Sequence, residues 1–303
     1  MYKLIEKNKR NSIFLFSAVT AVLIALGYFI GLYLFGESHS YAGVLIALAI
    51  ALITGLVSYY GGDAVILGIS TARKVTKEQY QVLYNVIEEL TIASGLPMPK
   101  IYVIEDSAPN AFATGRDPKH ASVAITTGLL DKLNREELQG VMAHEMSHVQ
   151  NYDILFGTMI AVMVGSIVML SDFFLRSMFY SGNRRRSRDS GKGGGVMLLI
   201  ALVLAVIAPF LAKIIQFAVS RQREYLADSS AAKMTRNPIG LANALSKIAN
   251  DTEPLEAANK GTQHLYIVNP LKKMKKTSGI FDTHPPLEER VRRLKGLHLG
   301  INP

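Results

Sequence analysis

Two apolar runs dominate the first part of the chain. Residues 13 to 35 carry no charged side chain over 23 positions, and residues 41 to 62 carry none over 22. About 20 apolar residues of helix are enough to cross the hydrocarbon core of a bilayer, so each run predicts a span. A second apolar pair comes later, Ile154 to Ser171 and Val196 to Val219, the first 18 residues long and the second interrupted by Pro209 and Lys213; these predict weaker spans. Between the two pairs the pattern shifts to short periods. A polar and then amphipathic stretch from Thr76 through Ala93 predicts a helix closed by Gly95 and the Pro97/Pro99 pair, while Lys100 to Ile104 and Ala121 to Thr126 read as strands. Asn110 to Gly115, short and uncharged, predicts an exposed edge strand near a cleft, fit to pair with an extended backbone or to serve as an ordinary hairpin arm. Asn134 is a good N-cap with Glu137 three residues on, and Leu138, Val141, Met142, Met146 and Val149 recur at helical spacing. Together they predict a helix from about Arg135 to past Gln150.

Composition narrows the class. With 303 residues, 49% of them hydrophobic, and a mean hydropathy of +0.22, the chain is too apolar for an ordinary soluble domain and too charged to lie wholly in lipid. A membrane protein with a water-exposed domain fits. The first run is longer than a signal-peptide core, and Gly27-Tyr28-Phe29-Ile30 continues it where a small-residue cleavage site would stand, so it reads as an uncleaved anchor. Lys3, Lys7, Lys9 and Arg10 precede this run and Gly36 to Ser40 holds no Lys or Arg, which places the N-terminus in the cytoplasm. Two crossings return the chain there, with Arg73, Lys74 and Lys77 after the second. The loop of the later pair, with Arg176, Arg184, Arg185, Arg186, Arg188 and Lys192, runs against the same tendency if both segments cross. Either that hairpin spans and the rule fails locally, or it enters the bilayer without crossing. Its Gly/Ser/Arg-rich centre, residues 181 to 195, offers no core.

The net charge of +9 raises nucleic acid as a partner, but the basic residues sit beside apolar runs and near the C-terminus without interleaved aromatics, which excludes that class and points to anionic lipid headgroups. Cysteine is absent, so there is no disulfide and no thiolate ligand or nucleophile. Histidine and carboxylate must do any metal binding.

The helix around residue 140 carries that chemistry. His144-Glu145-Met146-Ser147-His148 is an HExxH pattern. Residues four apart share a helical face, so His144 and His148 can direct two imidazoles at one ion. Glu145 flanks the ion and can take a proton from the attacking water while the metal polarises the scissile carbonyl, the division of labour peptide hydrolysis needs. Two histidines and a glutamate buried without a partner on an apolar helix would be costly, which weighs against a merely structural role. A hydrolytic zinc site wants a third protein ligand. Glu224 is the best candidate: it shares a helical face with Asp228, whose carboxylate could accept the remaining ring N–H of a ligating histidine. On spacing alone, an exposed acidic pair flanked by Arg221 and Arg223 is the alternative. His284 precedes Pro285-Pro286, which holds it extended at the start of a helix, where it could donate to an oxyanion or have no catalytic part. His39, His120, His264 and His298 have no comparable setting.

HEMSH at 144 to 148, REYLAD at 223 to 228, NAFATG at 110 to 115 and FDTHPPLEER at 281 to 290, in that order and between paired apolar segments, resemble the HtpX membrane metalloproteases over nearly the whole chain. The resemblance implies an α+β, mainly helical fold: a multi-pass membrane protein with a cytoplasmic HExxH zinc metallopeptidase domain. Its parts would be a transmembrane hairpin at 1–65, the first part of the peptidase with the HExxH helix at 66–153, a second transmembrane or membrane-embedded hairpin at 154–219, and the rest of the peptidase with the third ligand at 220–303. It implies one zinc ion per subunit held by His144, His148 and Glu224, Glu145 as general base, and Asp228 and His284 in support. It also implies residence in the bacterial cytoplasmic membrane with the site facing the cytoplasm, and cleavage of damaged or misfolded membrane proteins or unfolded proteins in quality control and stress response. The resemblance assigns no role to the Arg-rich 184–188 loop, and the oligomeric state is left open. The alternatives are a specialised protease trimming prenylated CAAX peptides, against which four spans argue, and a zinc-binding membrane scaffold, against which the lack of cysteine argues.

Overall fold

The computed structural model describes residues 2–35, 40–163, 221–251, 253, 255, 262, 264–268 and 285–299. The expected hairpin beyond residue 163, its Arg-rich loop and His284 lie outside the described residues.

Helices α1 (Tyr2–Phe35) and α2 (Ser40–Ile69) run along each other. Among the described residues, Tyr41–Ile69 of α2 is long and apolar enough to cross a membrane, with a mean hydropathy of 2.3 over its most apolar window. Its Ile53, Leu56 and Tyr60 are 62%, 58% and 64% exposed, an apolar surface no other described part of the chain covers. The last turns of α2 sink into the protein instead, where Ile66 and Leu67 pack with Phe112, Ala124 and Tyr266.

A four-stranded sheet follows, made of β1 (Arg73–Lys74), β2 (Lys100–Ile104), β3 (Ala111–Gly115) and β4 (Ala121–Thr126) in the order β1-β2-β4-β3. β2 and β4 are parallel, with Ile101 opposite Val123, and β3 is antiparallel to β4, with Phe112 opposite Ala124. β2 and β4 have the limits read from the sequence, and β3 begins one residue later than expected. Helix α3 (Gln81–Ser94) starts later than expected. Val75 donates to the Ile101 carbonyl and so stays on the sheet, and residues 76 to 80 form a turn in which the Thr76 N–H donates to Gln79 Oε1. Leu83, Val86, Ile87 and Leu90 then bury one face of α3, and Gly95, at φ 70°, ends the helix in a left-handed conformation that costs glycine little.

Helix α4 (Thr127–Lys132) leads to α5 (Arg135–Gln150), the HExxH helix. The Asn134 side chain accepts from the Glu137 N–H while the Glu137 carboxylate accepts from the Asn134 N–H, a complete capping box. α5 is buried on nearly all sides, between α3, β3 and two later helices, α7 (Arg221–Thr235) and α8 (Pro238–Asn250). Gly140 makes this approach possible: a Cβ there would stand 2.6 Å from the backbone N of Leu241 on α8. α6 (Asp153–Met163) lies between the domain and the hairpin, with Leu155, Phe156 and Met159 packed on Leu15 and Val19 of α1. α9 (Leu287–His298) closes the structure against α7 and α8.

The strand expected to be exposed is at the sheet edge, yet all of its residues are buried. The Ile267 N–H donates to the Ala111 carbonyl at 3.0 Å, and Thr158 Oγ1 of α6 bonds Thr114 Oγ1 at 2.8 Å and the Gly115 N–H at 3.1 Å. In an antiparallel ladder alternate residues point their N–H and C=O outward, here 111, 113 and 115. Ala111 and Gly115 are thereby occupied at both ends of β3. Ala113, between them, faces a cavity.

Candidate metal centre

α5 presents His144 and His148 one turn apart, with their Nε2 atoms 3.2 Å from each other. α7 brings Glu224 to meet them, Oε2 at 3.7 Å from His144 Nε2 and Oε1 at 3.7 Å from His148 Nε2. Among the described residues these three form the one group of His, Asp and Glu side chains whose donor atoms converge, all within 4.8 Å of one another. Each imidazole is fixed from behind. His144 Nδ1 lies 3.0 Å from Asp228 Oδ1, and His148 Nδ1 lies 3.0 Å from Asp153 Oδ2. A carboxylate at Nδ1 holds the proton there and leaves the Nε2 lone pair pointing into the group. The two Nε2 atoms, 3.2 Å apart, thus share one point in front of the helix with the Glu224 carboxylate. The ligands of a tetrahedral ion with bonds of 2.0–2.1 Å are about 3.3 Å apart, so the donor set and its spacing fit a metal ion.

Glu145 points its carboxylate to the same place and is 1% exposed. Its Oε1 is buried without a hydrogen-bond partner among the described residues. Burial pushes the Glu145 carboxyl up from its ordinary value, against the pull of the two imidazoles, with Glu224 adding to the rise and Arg290 opposing it. Burial alone would also lift Asp228, but the Arg290 guanidinium and the His144 ring hold it low. Burial and Arg290 press His144 down, and its bonds with Asp228 and Glu224 outweigh them, leaving the imidazole raised to about 9. The cavity in front of the group has a volume of about 60 Å³, with Ala113 of β3, Gly157 and Ile160 of α6 and residues 264–267 forming its other walls. At roughly 10–15 Å³ per water it admits an ion and a few waters.

Of the residues singled out in the sequence, His144, Glu145, His148, Glu224 and Asp228 come together, and His284 lies outside the described residues. Three further ones do not follow from the sequence reading. Arg290 of α9 is fully buried and grips Asp228 with two bonds, Nε to Oδ2 at 2.8 Å and Nη2 to Oδ1 at 2.7 Å, while Nη1 donates to the Ile267 carbonyl and stands 3.6 Å from Glu224 Oε2. A signal was available: Leu287, Arg290, Val291 and Leu294 recur at helical spacing, so this arginine sits on the apolar stripe of its helix. Asp153 is placed by Tyr152, whose φ of 59° breaks the chain between α5 and α6 and turns the next residue back toward His148. Asp153 Oδ1 accepts from Asn8 Nδ2 at 2.6 Å and lies 3.3 Å from Arg223 Nη1. Asn8 belongs to α1 and also donates to the Asn151 carbonyl at 2.9 Å. His264 borders the cavity, its Nε2 at 3.1 Å from the Gly157 carbonyl oxygen.

Comparison with known proteins bears on this centre. The model of peptidase family M48 matches residues 77–298. "Protease HtpX homolog" of Dictyoglomus turgidum is 48% identical over 97% of this chain and 94% of its own length. The protein of the same name from Ligilactobacillus salivarius is 41% identical over 97% and 99%. Among solved structures, the crystal structure of S. mikatae Ste24p superposes with a TM-score of 0.50 over 97% of this chain and 67% of that one, at 19% identity, which shows a shared fold. With the family model spanning the helices that carry the centre and near full-length relatives above 40% identity, the chain belongs to the M48 peptidases and, among them, to the HtpX metalloproteases.

Proposed function

We propose that the chain is a zinc endopeptidase of the bacterial cytoplasmic membrane that cleaves internal peptide bonds of damaged or misfolded membrane proteins. The observation that carries this reading is Glu145: a buried carboxylate with one oxygen unpartnered among the described residues, beside three convergent metal donors and facing a cavity large enough for water. His144, His148 and Glu224 would hold the ion. When bound, zinc supplies Lewis acidity, polarising the scissile carbonyl and making water easier to deprotonate. Glu145 Oε takes the proton of the attacking water and returns it to the leaving amine nitrogen, and its raised affinity for a proton suits both transfers. Asp228 and Asp153 keep the two imidazoles in the tautomer the ion needs, and Arg290 keeps Asp228 charged. Ala113 offers its outward N–H and C=O to an extended substrate strand, which orients the scissile bond above Glu145. His284, which the chain carries directly before α9, is the proposed donor to the oxyanion.

α1 and α2 are the proposed N-terminal spans, with the basic N-terminus and the peptidase on the cytoplasmic side and a second membrane hairpin within 154–219. The exposed apolar face of α2 and the lysines and arginines at 3, 7, 9, 10, 73, 74 and 77 support this topology. Tethering a site beside the bilayer raises the effective concentration of substrates held in the same membrane. The test is reconstitution with a membrane-protein substrate and a soluble unfolded one. Cleavage of both should stop on chelation and return with zinc, and the membrane-embedded substrate should be cut faster at equal bulk concentration. Cleavage that survives exhaustive chelation would overturn the metal mechanism, and equal rates would overturn the tethering.

A further inference from the structure

On its far side from the metal centre, α6 borders a second and larger cavity. Its volume is about 1210 Å³, above the roughly 300–1,000 Å³ of ordinary small-molecule pockets. Leu155 and Met159 of α6 face it, whereas Gly157 and Ile160 face the metal centre, so the helix is a wall between the two. The cavity has two chemically distinct ends. One is an apolar trough between α1 and α2, formed by Ile13, Phe16, Leu52 and Leu56. The other holds Lys9, Arg116 and Lys119 against a single carboxylate, Asp117. Asp117 accepts from the Lys119 and His120 N–H groups, lies 2.8 Å from His120 Nδ1 and pairs with Arg116 Nε at 3.6 Å, and one carboxylate against three cations leaves the end net positive. Tyrosines hold two of the cations in place: Lys9 Nζ is 4.6 Å from the centre of the Tyr152 ring, and the Arg116 guanidinium is 5.4 Å from that of Tyr60 and 6.0 Å from that of Tyr59.

We propose that this cavity binds one anionic phospholipid, its phosphate among Lys9, Arg116 and Lys119 and its acyl chains along the trough. The proposal rests on the reading that α1 and α2 lie in the membrane. Charge complementarity and shape select the occupant. A free phosphate has no use for the trough, and an apolar peptide segment leaves the excess positive charge of three cations against one carboxylate unmet. The consequence reaches the metal centre, because Lys9 is the neighbour of Asn8, whose side chain bonds Asp153 behind His148. A seated headgroup braces the turn of α1 that completes the site.

The experiment is binding of phosphatidylglycerol, phosphatidylcholine and inorganic phosphate to the full-length protein in detergent, followed by native mass spectrometry. Phosphatidylglycerol should be retained in preference to phosphatidylcholine, without competition from millimolar phosphate. Lys9→Gln and Lys119→Gln, both at exposed positions, should each weaken it roughly fivefold. Leu56→Trp, which fills the trough, should weaken both lipids while leaving the protein's thermal unfolding in lipid-free detergent unchanged. Equal retention of the two lipids, indifference to the lysine substitutions, or displacement by phosphate or by an apolar peptide would overturn the proposal. Alkaline carbonate extraction of membranes separates this failure from that of the topology: a protein that stays in the membrane without lipid selectivity refutes the cavity assignment alone, and one that is extracted refutes the spans and the proposal with them.

Discussion

His144 and His148 stand one turn apart on the same helix, and each has a carboxylate 3.0 Å from its Nδ1. Behind them the two sides differ. Asp228 is buried and clamped by the fully buried Arg290, so the His144 side is built from α5, α7 and α9, within the folded core. Asp153 is partly accessible and is steadied by Arg223 of α7 and by Asn8 of α1, so the His148 side draws on the N-terminal helix seated on α6 as well as on the core. One half of the metal centre belongs to the core of the peptidase, and the other also draws on a helix proposed to lie in the bilayer. Substrate access and control by the membrane are therefore to be sought on the His148 side, and stability on the His144 side.

The largest expected effect breaks the His144 side. Arg290→Met leaves Asp228 and Glu224 buried without their cation, and removing one partner of a buried pair costs about 3–5 kcal/mol. Thermal unfolding in detergent should show a severe drop or no folded protein; a loss below about 1 kcal/mol would mean that Arg290 is not what keeps Asp228 charged. On the other side, Asp153→Ala should leave the fold intact and weaken metal binding roughly 10- to 100-fold, as loss of a carboxylate behind a ligating histidine does. Chelator competition measures it, and unchanged affinity would detach Asp153 from the centre. The smallest effect tests the reach of α1. Asn8→Ala removes the three hydrogen bonds of a buried side chain, to the Asn151 carbonyl, to Asp153 and from Arg223, and should cost about 1 kcal/mol, with a metal affinity several-fold weaker and no change on the His144 side. A variant indistinguishable from the wild type in chelator competition would confine the centre to α5, α6, α7 and α9.

Sequence logic reached one side of this comparison further than the other. The limits of α5 follow from Asn134 and Glu137 because a capping box is local, and β2 and β4 follow from short apolar runs bounded by turns. Glu224 and Asp228 were legible because a four-residue spacing on a helix states which side chains share a face. Asp153 was not, since the left-handed Tyr152 breaks the helical period between it and His148. Asn8 and Arg290 act across 145 and 62 residues of chain, and no local rule pairs positions so far apart. The start of α3 was missed because Val75 is held by a strand. The exposure expected of Asn110 to Gly115 failed because a segment some 150 residues later covers the edge it forms.

The most direct measurement compares metal content and cleavage of an unfolded membrane-protein substrate for the wild type, Glu145→Gln and Glu224→Ala. The account predicts that Glu145→Gln keeps its zinc and loses activity, because the size of the side chain remains and the base is gone, and that Glu224→Ala loses both. Activity persisting in Glu145→Gln, or full zinc content in Glu224→Ala, would contradict it.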